Sequence, residues 1–354
     1  MSIILVTGSS GLVGSESVSF FSKKKFKIIG IDNNFRKYFF GINGSTISRR
    51  NELIKKYNNY THYDIDIRNY IRLEKIFKKY KNNISCIIHS AAQPSHDWSA
   101  KEPMTDFSIN ALGTINLLEL TKKYSRDAVF IFTSTNKVYG DNPNKIKLIE
   151  KRNRYEVKNK NFFNGVNETM SIDNSIHSIF GVSKASADLL VQEYGKNFSL
   201  KTGVFRGGCI TGSNQSGAEL HGFLNYLVRA NINKVKYFIY GYKGKQVRDN
   251  IHSLDLVNSF WQFYKKPLHG EVFNIGGGRV NSCSVLEAIE IIEEITRIKM
   301  KFSILTKSRV GDHKWYISNN SKFIKKYNNW HLQLSLRDII YEIVNKNIFY
   351  KRRN

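Results

Sequence analysis

The chain has 354 residues, 41% of them hydrophobic, with 55 lysines and arginines against 29 acids and three cysteines. That apolar content supplies a large core and argues against a disordered chain, and the distant Cys86, Cys209 and Cys283 indicate no disulfide framework and show no metal-ligand spacing, so a reducing compartment and no metal are expected. The net charge of +26 would suit a nucleic-acid ligand, but the basic residues are spread along the whole chain, the densest run being Arg36 to Lys56 with few aromatics, so no nucleic-acid partner is expected.

In chain order, the runs IILVT (3–7), KIIGID (27–32), CIIHSAA (86–92), VFIFTST (129–135) and TGVFRG (202–207) are short and β-branched, without apolar/polar alternation. Such strands are buried on both faces, as a parallel sheet between helices requires. Segments 101–124 and 181–198 carry apolar positions at helical spacing and cover the sheet. The polar stretch 141–178 reads as a long functional loop. Beyond 207 the order loosens: a helix near 219–231, a strand near 236–240, a return strand at 271–277, and helices near 284–295 and 335–348. The expected fold is α/β, a doubly wound parallel Rossmann sheet with a smaller C-terminal lobe. Residues 1–207 form the dinucleotide-binding domain, joined by the return strand, and 208–354 mainly the substrate lobe. No apolar stretch approaches the roughly 20 residues that span a bilayer, so a cytoplasmic protein with no membrane partner is expected.

Directly after the first strand, TGSSGLVG places Gly8 at a tight turn, Gly11 where backbone must approach a pyrophosphate, and Gly14 where a helix packs closely. Asp32, after the second strand, is spaced to accept hydrogen bonds from an adenosine ribose, which favours NAD over NADP; Arg36 nearby is read as a surface arginine. Asp66 and Ile67 are placed to flank the adenine, a helix N-cap being the other reading of Asp66.

The segments STNKVYGD (134–141), GVSKASAD (181–188), GKQVRD (244–249) and FNIGG (273–277) resemble the extended short-chain dehydrogenase/reductases over nearly the whole chain. STNKVYGD and GKQVRD are most similar to the subgroup of CDP-paratose 2-epimerases. The resemblance implies that Thr135 hydrogen-bonds the reacting sugar hydroxyl and that Lys184 binds the nicotinamide ribose. Four residues earlier, where it implies the catalytic tyrosine, stands Phe180, which cannot give or take a proton. Thr135 with Lys184 through water, Tyr139 and His177 are the replacements within sequence reach, and imidazole has the most suitable intrinsic pKa. Arg248 and Arg309 resemble the arginines that grip a nucleotide-sugar diphosphate, a task suited to bidentate guanidinium groups. Asn110 matches the family's helix-bending asparagine, and Gln93, after the fourth strand, is read as lining the sugar pocket.

The resemblance implies an NAD-dependent nucleotide-sugar epimerase acting on a CDP-sugar by transient oxidation to a keto-sugar and hydride return to the opposite face, in a homodimer. The missing tyrosine leaves open a catalytically weakened NAD-binding scaffold or sensor, and the same fold also serves nucleotide-sugar dehydratases and dehydrogenases.

Overall fold

A computed structural model describes residues 2–215, 222–306 and 311–351. The chain divides into two units, residues 1–138, 178–206 and 256–273 in the first and 139–177, 207–255 and 274–354 in the second.

The first unit is built on β1 (Ile3–Thr7), β2 (Lys27–Ile31), β3 (Tyr60–Tyr63), β4 (Ile84–His89), β5 (Val129–Thr135), β6 (Lys201–Gly207) and β7 (Glu271–Ile275). They form one seven-stranded sheet in the order β7-β6-β5-β4-β1-β2-β3. β1 pairs in parallel with both β2 and β4, Thr7 lying opposite Ile31 and His89. The chain leaves β1 for one side of the sheet and later reaches β4 on the other, so the carboxyl ends of β1 and β4 border the crevice where such sheets bind ligands. Burial on both faces explains the continuous apolar runs: Ile4, Leu5, Val6, Ile87, Ile88, Phe130 and Ile131 are fully buried.

The covering segment 101–124 is not one helix. Pro103 opens a short helix, Pro103–Phe107, in its first turn, where a missing N–H does no harm. A π-turn over Ser108–Leu112 follows, and a second helix runs from Gly113 to Tyr124. The turn has an identifiable cause. The Asn110 side chain accepts from the Gln93 amide at 2.9 Å and donates to the Gln93 carbonyl at 3.2 Å and to Ser183 Oγ at 3.0 Å. Asn110 therefore ties the bent helix to the loop after β4 and to the long helix Ile179–Lys196.

The second unit centres on strand Val247–His252, which pairs antiparallel with Ser282–Ser284 and parallel with Trp315–Tyr316 and Cys209–Thr211. Its core comes from helices Phe223–Ile232, Val285–Thr296 and Leu336–Lys351, through residues such as Leu227, Val228, Ile292, Ile339 and Ile343. The helix Val285–Thr296 starts at a capping box in which Ser284 Oγ accepts from the Glu287 amide and the Glu287 carboxylate accepts from the Ser284 amide. The segment 139–177, expected as a loop of the first domain, clusters with this unit and contains a small hairpin, Leu148–Glu150 with Tyr155–Val157. Among the described residues no helix is long and apolar enough to cross a membrane, and no group of three or more His, Cys, Asp or Glu could hold a metal ion.

Candidate active site

The crevice of the first unit begins at Gly8, with φ +66° and the space of a Cβ occupied by the Ala91 amide at 2.8 Å. Gly14 is tighter, since a Cβ there would lie 2.0 Å from the Gly8 carbonyl oxygen. Only glycine lets the helix Leu12–Lys23 start this close to the β1 turn, and Gly11 is its N-cap. The first-turn amides of that helix, with its dipole, form an anion site. Ser10 Oγ, buried in the same loop, has no hydrogen-bond partner within the protein, an orphaned donor that a pyrophosphate oxygen would satisfy.

Asp32 sits at the end of β2, its Oδ2 accepting from the Ser10 amide at 3.0 Å and its Oδ1 from the Asn34 amide at 2.8 Å. Burial raises its pKa, and the two amide bonds oppose the rise. Asp66 accepts from the Arg68 amide at 2.8 Å, from Arg68 Nη2 at 2.7 Å and from Asn33 Nδ2 at 3.1 Å. Burial alone would raise Asp66, yet the Arg68 contacts outweigh it and hold its carboxyl below the usual range. Asp66 is not a helix N-cap: the following helix is capped by Asn69, which accepts from the Arg72 amide. Ile67 is buried against Gly113, where a Cβ would meet its Cδ1 at 2.5 Å. Arg36 is half-buried with its guanidinium over the Phe40 ring at 4.5 Å, so it is not the plain surface arginine that the sequence suggested. A glycine cradle, an orphaned hydroxyl, the carboxylate of Asp32 after β2 and that of Asp66 after β3 could hold a dinucleotide, and the carboxylate at Asp32 suits one without a 2′-phosphate.

At the carboxyl end of β5, Thr135 is half-buried and its Oγ1 accepts from the Lys137 amide at 3.3 Å. Lys184, on the long helix, is 4% exposed; its Nζ donates to the Thr133 carbonyl at 2.9 Å and lies over the Phe132 ring at 4.2 Å. Burial pushes its ammonium down to about 8, against the pull of Asp188 and Asp106. One turn earlier, Phe180 is buried, its ring T-shaped to that of His96 with centroids 4.9 Å apart. His96 Nδ1 is 2.8 Å from Ser178 Oγ, and Ser178 caps the same helix by accepting from the Gly181 amide at 3.1 Å.

The other polar groups of this crevice are committed to holding it. His89 Nδ1 is 2.8 Å from Thr7 Oγ1 and Nε2 is 2.9 Å from Thr114 Oγ1. The Thr114 hydroxyl donates to the Asn110 carbonyl at 2.6 Å, so the imidazole carries its hydrogen on Nε2 and accepts from Thr7. Burial, with the charge of Lys184, pushes His89 down to about 3 and keeps it neutral. Gln93 is 1% exposed, its amide nitrogen donating to the Ser95 carbonyl at 2.8 Å and to Asp106 Oδ1 at 2.7 Å and its oxygen accepting from the Ser95 amide. That accounts for both ends of the side chain and corrects the expectation that it faces a sugar pocket: Gln93 shapes the loop instead.

Two expected site residues belong to the second unit. His177 Nε2 is 2.9 Å from the Ile172 carbonyl and its Nδ1 is buried without a partner. Arg248 donates to the Val247 carbonyl at 2.7 Å, to the His313 carbonyl and to the Asp312 carboxylate, an ion pair that fixes the guanidinium. Tyr139, in the same unit, is fully buried and donates to Asn274 Oδ1 at 2.7 Å. Arg309 lies outside the described residues. Sequence reasoning did not single out Ser10, or His96 and Ser178, the first of which opens the helix His96–Lys101 after β4.

The NAD dependent epimerase/dehydratase family matches residues 4–276. Over 346 residues the chain is 33% identical to CDP-paratose 2-epimerase of Salmonella typhi, covering 95% of this chain and 96% of that protein. It is 29% identical to UDP-glucuronate 4-epimerase of Thermodesulfobacterium geofontis, covering 98% and 96%. Among solved structures, UDP-glucose 4-epimerase from Thermotoga maritima with UDP-glucose superposes with a TM-score of 0.79 at 25% identity, covering 99% of this chain and all of that one.

Proposed function

The chain belongs to the NAD dependent epimerase/dehydratase family, and from that premise we propose that it is an NAD-dependent epimerase of a CDP-linked sugar. The relation to CDP-paratose 2-epimerase over 95% of the chain carries this reading. NAD, when bound, supplies the two-electron chemistry that an unactivated carbinol carbon needs before it can invert. The chain's own groups supply the rest. The glycine loop and helix N-terminus hold the pyrophosphate, with the Ser10 hydroxyl donating to it; Asp32 accepts from the adenosine ribose and Asp66 and Ile67 flank the adenine. Lys184 turns from the Thr133 carbonyl to the nicotinamide ribose, and Thr135 donates to the sugar oxygen. Arg248, held by Asp312, and Arg309 bind the diphosphate of the nucleotide-sugar.

We assign the exposed apolar face formed by Phe107, Leu112, Ile115, Leu189 and Leu190 to a homodimer contact; Phe107, Leu112 and Leu189 are each more than two-fifths exposed. The test of the reaction is turnover of CDP-paratose by the purified protein in D2O, with the product and the small molecules released on denaturation identified by mass spectrometry. Epimer without deuterium at the inverted carbon and one NAD per chain are expected; full solvent exchange at that carbon refutes the reading. Phe180 favours a second reading, a scaffold that binds NAD without turnover, which is the outcome if NAD is released but no nucleotide-sugar is converted. Net NADH formation, or a keto product, would identify a dehydrogenase or dehydratase instead.

A further inference from the structure

We propose that Tyr60 is a positioning residue for the cofactor: from the outer strand β3 it reaches across β2 and, through Ser9, fixes the turn after β1 in the form that receives the dinucleotide. This rests on the reading of that glycine loop as the seat of NAD.

A gap in β2 makes the contact possible. β2 lies between β1 and β3, with Val6 of β1 and His62 of β3 both opposite Gly30. Alternate residues of a strand share a face, and Tyr60, opposite Ile28, stands on the same face as Gly30. A Cβ on Gly30 would lie 2.5 Å from both Cε2 and the hydroxyl oxygen of Tyr60, and 2.6 Å from Ser9 Oγ. Glycine weakens a strand interior, and here it leaves the space through which a neighbouring side chain passes. The phenol crosses Gly30 and ends 3.0 Å from Ser9 Oγ.

Ser9 is fully buried and Tyr60 nearly so. Burial pushes the phenol up to about 12, so it keeps its hydrogen. Each hydroxyl can give or take, and the bond forms with either oxygen donating. Ser9 stands between Gly8, whose amide donates to the Ile31 carbonyl at 2.8 Å, and Ser10, whose amide donates to Asp32 Oδ2 at 3.0 Å. Those two bonds hold the backbone of the turn to the end of β2, and the phenol ties the side chain between them to β3. Turning Ser9 away would strand a buried hydroxyl, so the bond selects one course of the turn. The first-turn amides read above as the pyrophosphate site follow directly from it.

The experiment uses the holoprotein as purified. Release of NAD on dilution is followed by trapping it with alcohol dehydrogenase and ethanol and recording NADH absorbance, for wild type, Y60F, S9A, Y60F/S9A and Y80F. Release from Y60F and from S9A is each expected to be about tenfold faster, the scale of one buried hydrogen bond. The double variant is no faster than either single one, since all three lack the same bond. Tyr80 is the control, because it is buried like Tyr60 and its hydroxyl lies 2.9 Å from that of Tyr63 on the same edge strand. Loosening of the sheet edge in general would speed release from Y80F as well, whereas positioning through Ser9 leaves it at the wild-type rate. Release from Y60F within about twofold of wild type, a double variant at the product of the two single effects, or a Y80F protein as fast as Y60F overturns the proposal and leaves the seat of NAD standing. A wild type that neither carries NAD nor takes it up overturns both.

Discussion

Replacing Arg206 by leucine tests whether the carboxyl edge of β5 and β6 rests on a buried ion pair. Arg206 Nε and Nη2 meet the two oxygens of Asp188 at 2.9 Å each, with side-chain exposures of 6% and 1%. Ser134 Oγ donates to the same carboxylate at 2.6 Å and Gln192 Nε2 at 2.8 Å. Removing the guanidinium strands a buried negative charge, a change that costs about 3–5 kcal/mol. The Ser134 and Gln192 bonds persist and offset part of it, which places the expected loss near the lower end, about 3 kcal/mol. With a urea slope of roughly 1–3 kcal/mol per molar, the midpoint of the cofactor-free protein falls by about 1 M or more. Removing both charges, with Asp188→Leu and Arg206→Met, strands neither, so the pair of changes costs less than Arg206→Leu alone. Urea unfolding followed by far-UV circular dichroism measures all three proteins. A loss below about 1 kcal/mol for Arg206→Leu, or a double variant no better than the single one, refutes the reasoning.

Three further outcomes are expected. Gly14→Ala forces a Cβ to 2.0 Å from the Gly8 carbonyl and displaces the first helical turn, so the purified protein carries no NAD; release of more than half an equivalent on denaturation contradicts this. Lys184, ordinarily near 10.4 in an unfolded chain, is pushed to about 8 by burial, so between those values the unfolded chain binds more proton and stability rises with pH. Below pH 8 the folded state bears the full penalty, at most ~3 kcal/mol, and Lys184→Met therefore stabilises the protein at pH 7 and flattens its dependence between pH 8 and 10; a destabilised variant with the slope intact is the contrary result. Leu189→Arg places a charge in the exposed apolar face, and sedimentation velocity should show the dimer replaced by monomer; a monomeric wild type removes that assignment.

The buried strands were legible because each is apolar on both faces, and the glycine cradle because its spacing is dictated by backbone approach. β3, with the sequence YTHY, escaped notice because it closes the sheet's edge with only Tyr60 buried. Helical periodicity continues through the break at 108–112, because the bonds that drive it come from Gln93 and Ser183, which are distant in sequence; only the family resemblance at Asn110 pointed to a bend there. His177 looked promising only through its nearness along the chain; its ring turns to its own segment, while His96, 84 positions before Phe180, is the histidine that meets that ring. Ring contacts of this kind are products of the fold, and no local spacing encodes them.

Asp32 takes the Ser10 amide on one oxygen and the Asn34 amide on the other, and each oxygen keeps a second lone pair. The turn after β1 and the turn after β2 are thus clamped to each other by the carboxylate proposed above to meet the adenosine half of the ligand. A dinucleotide bound there would find both turns already ordered, so that little of its binding energy would be spent on arranging them. On the epimerase reading proposed above, a dinucleotide so held would behave as a resident prosthetic group, with one electron pair in circulation between successive sugars.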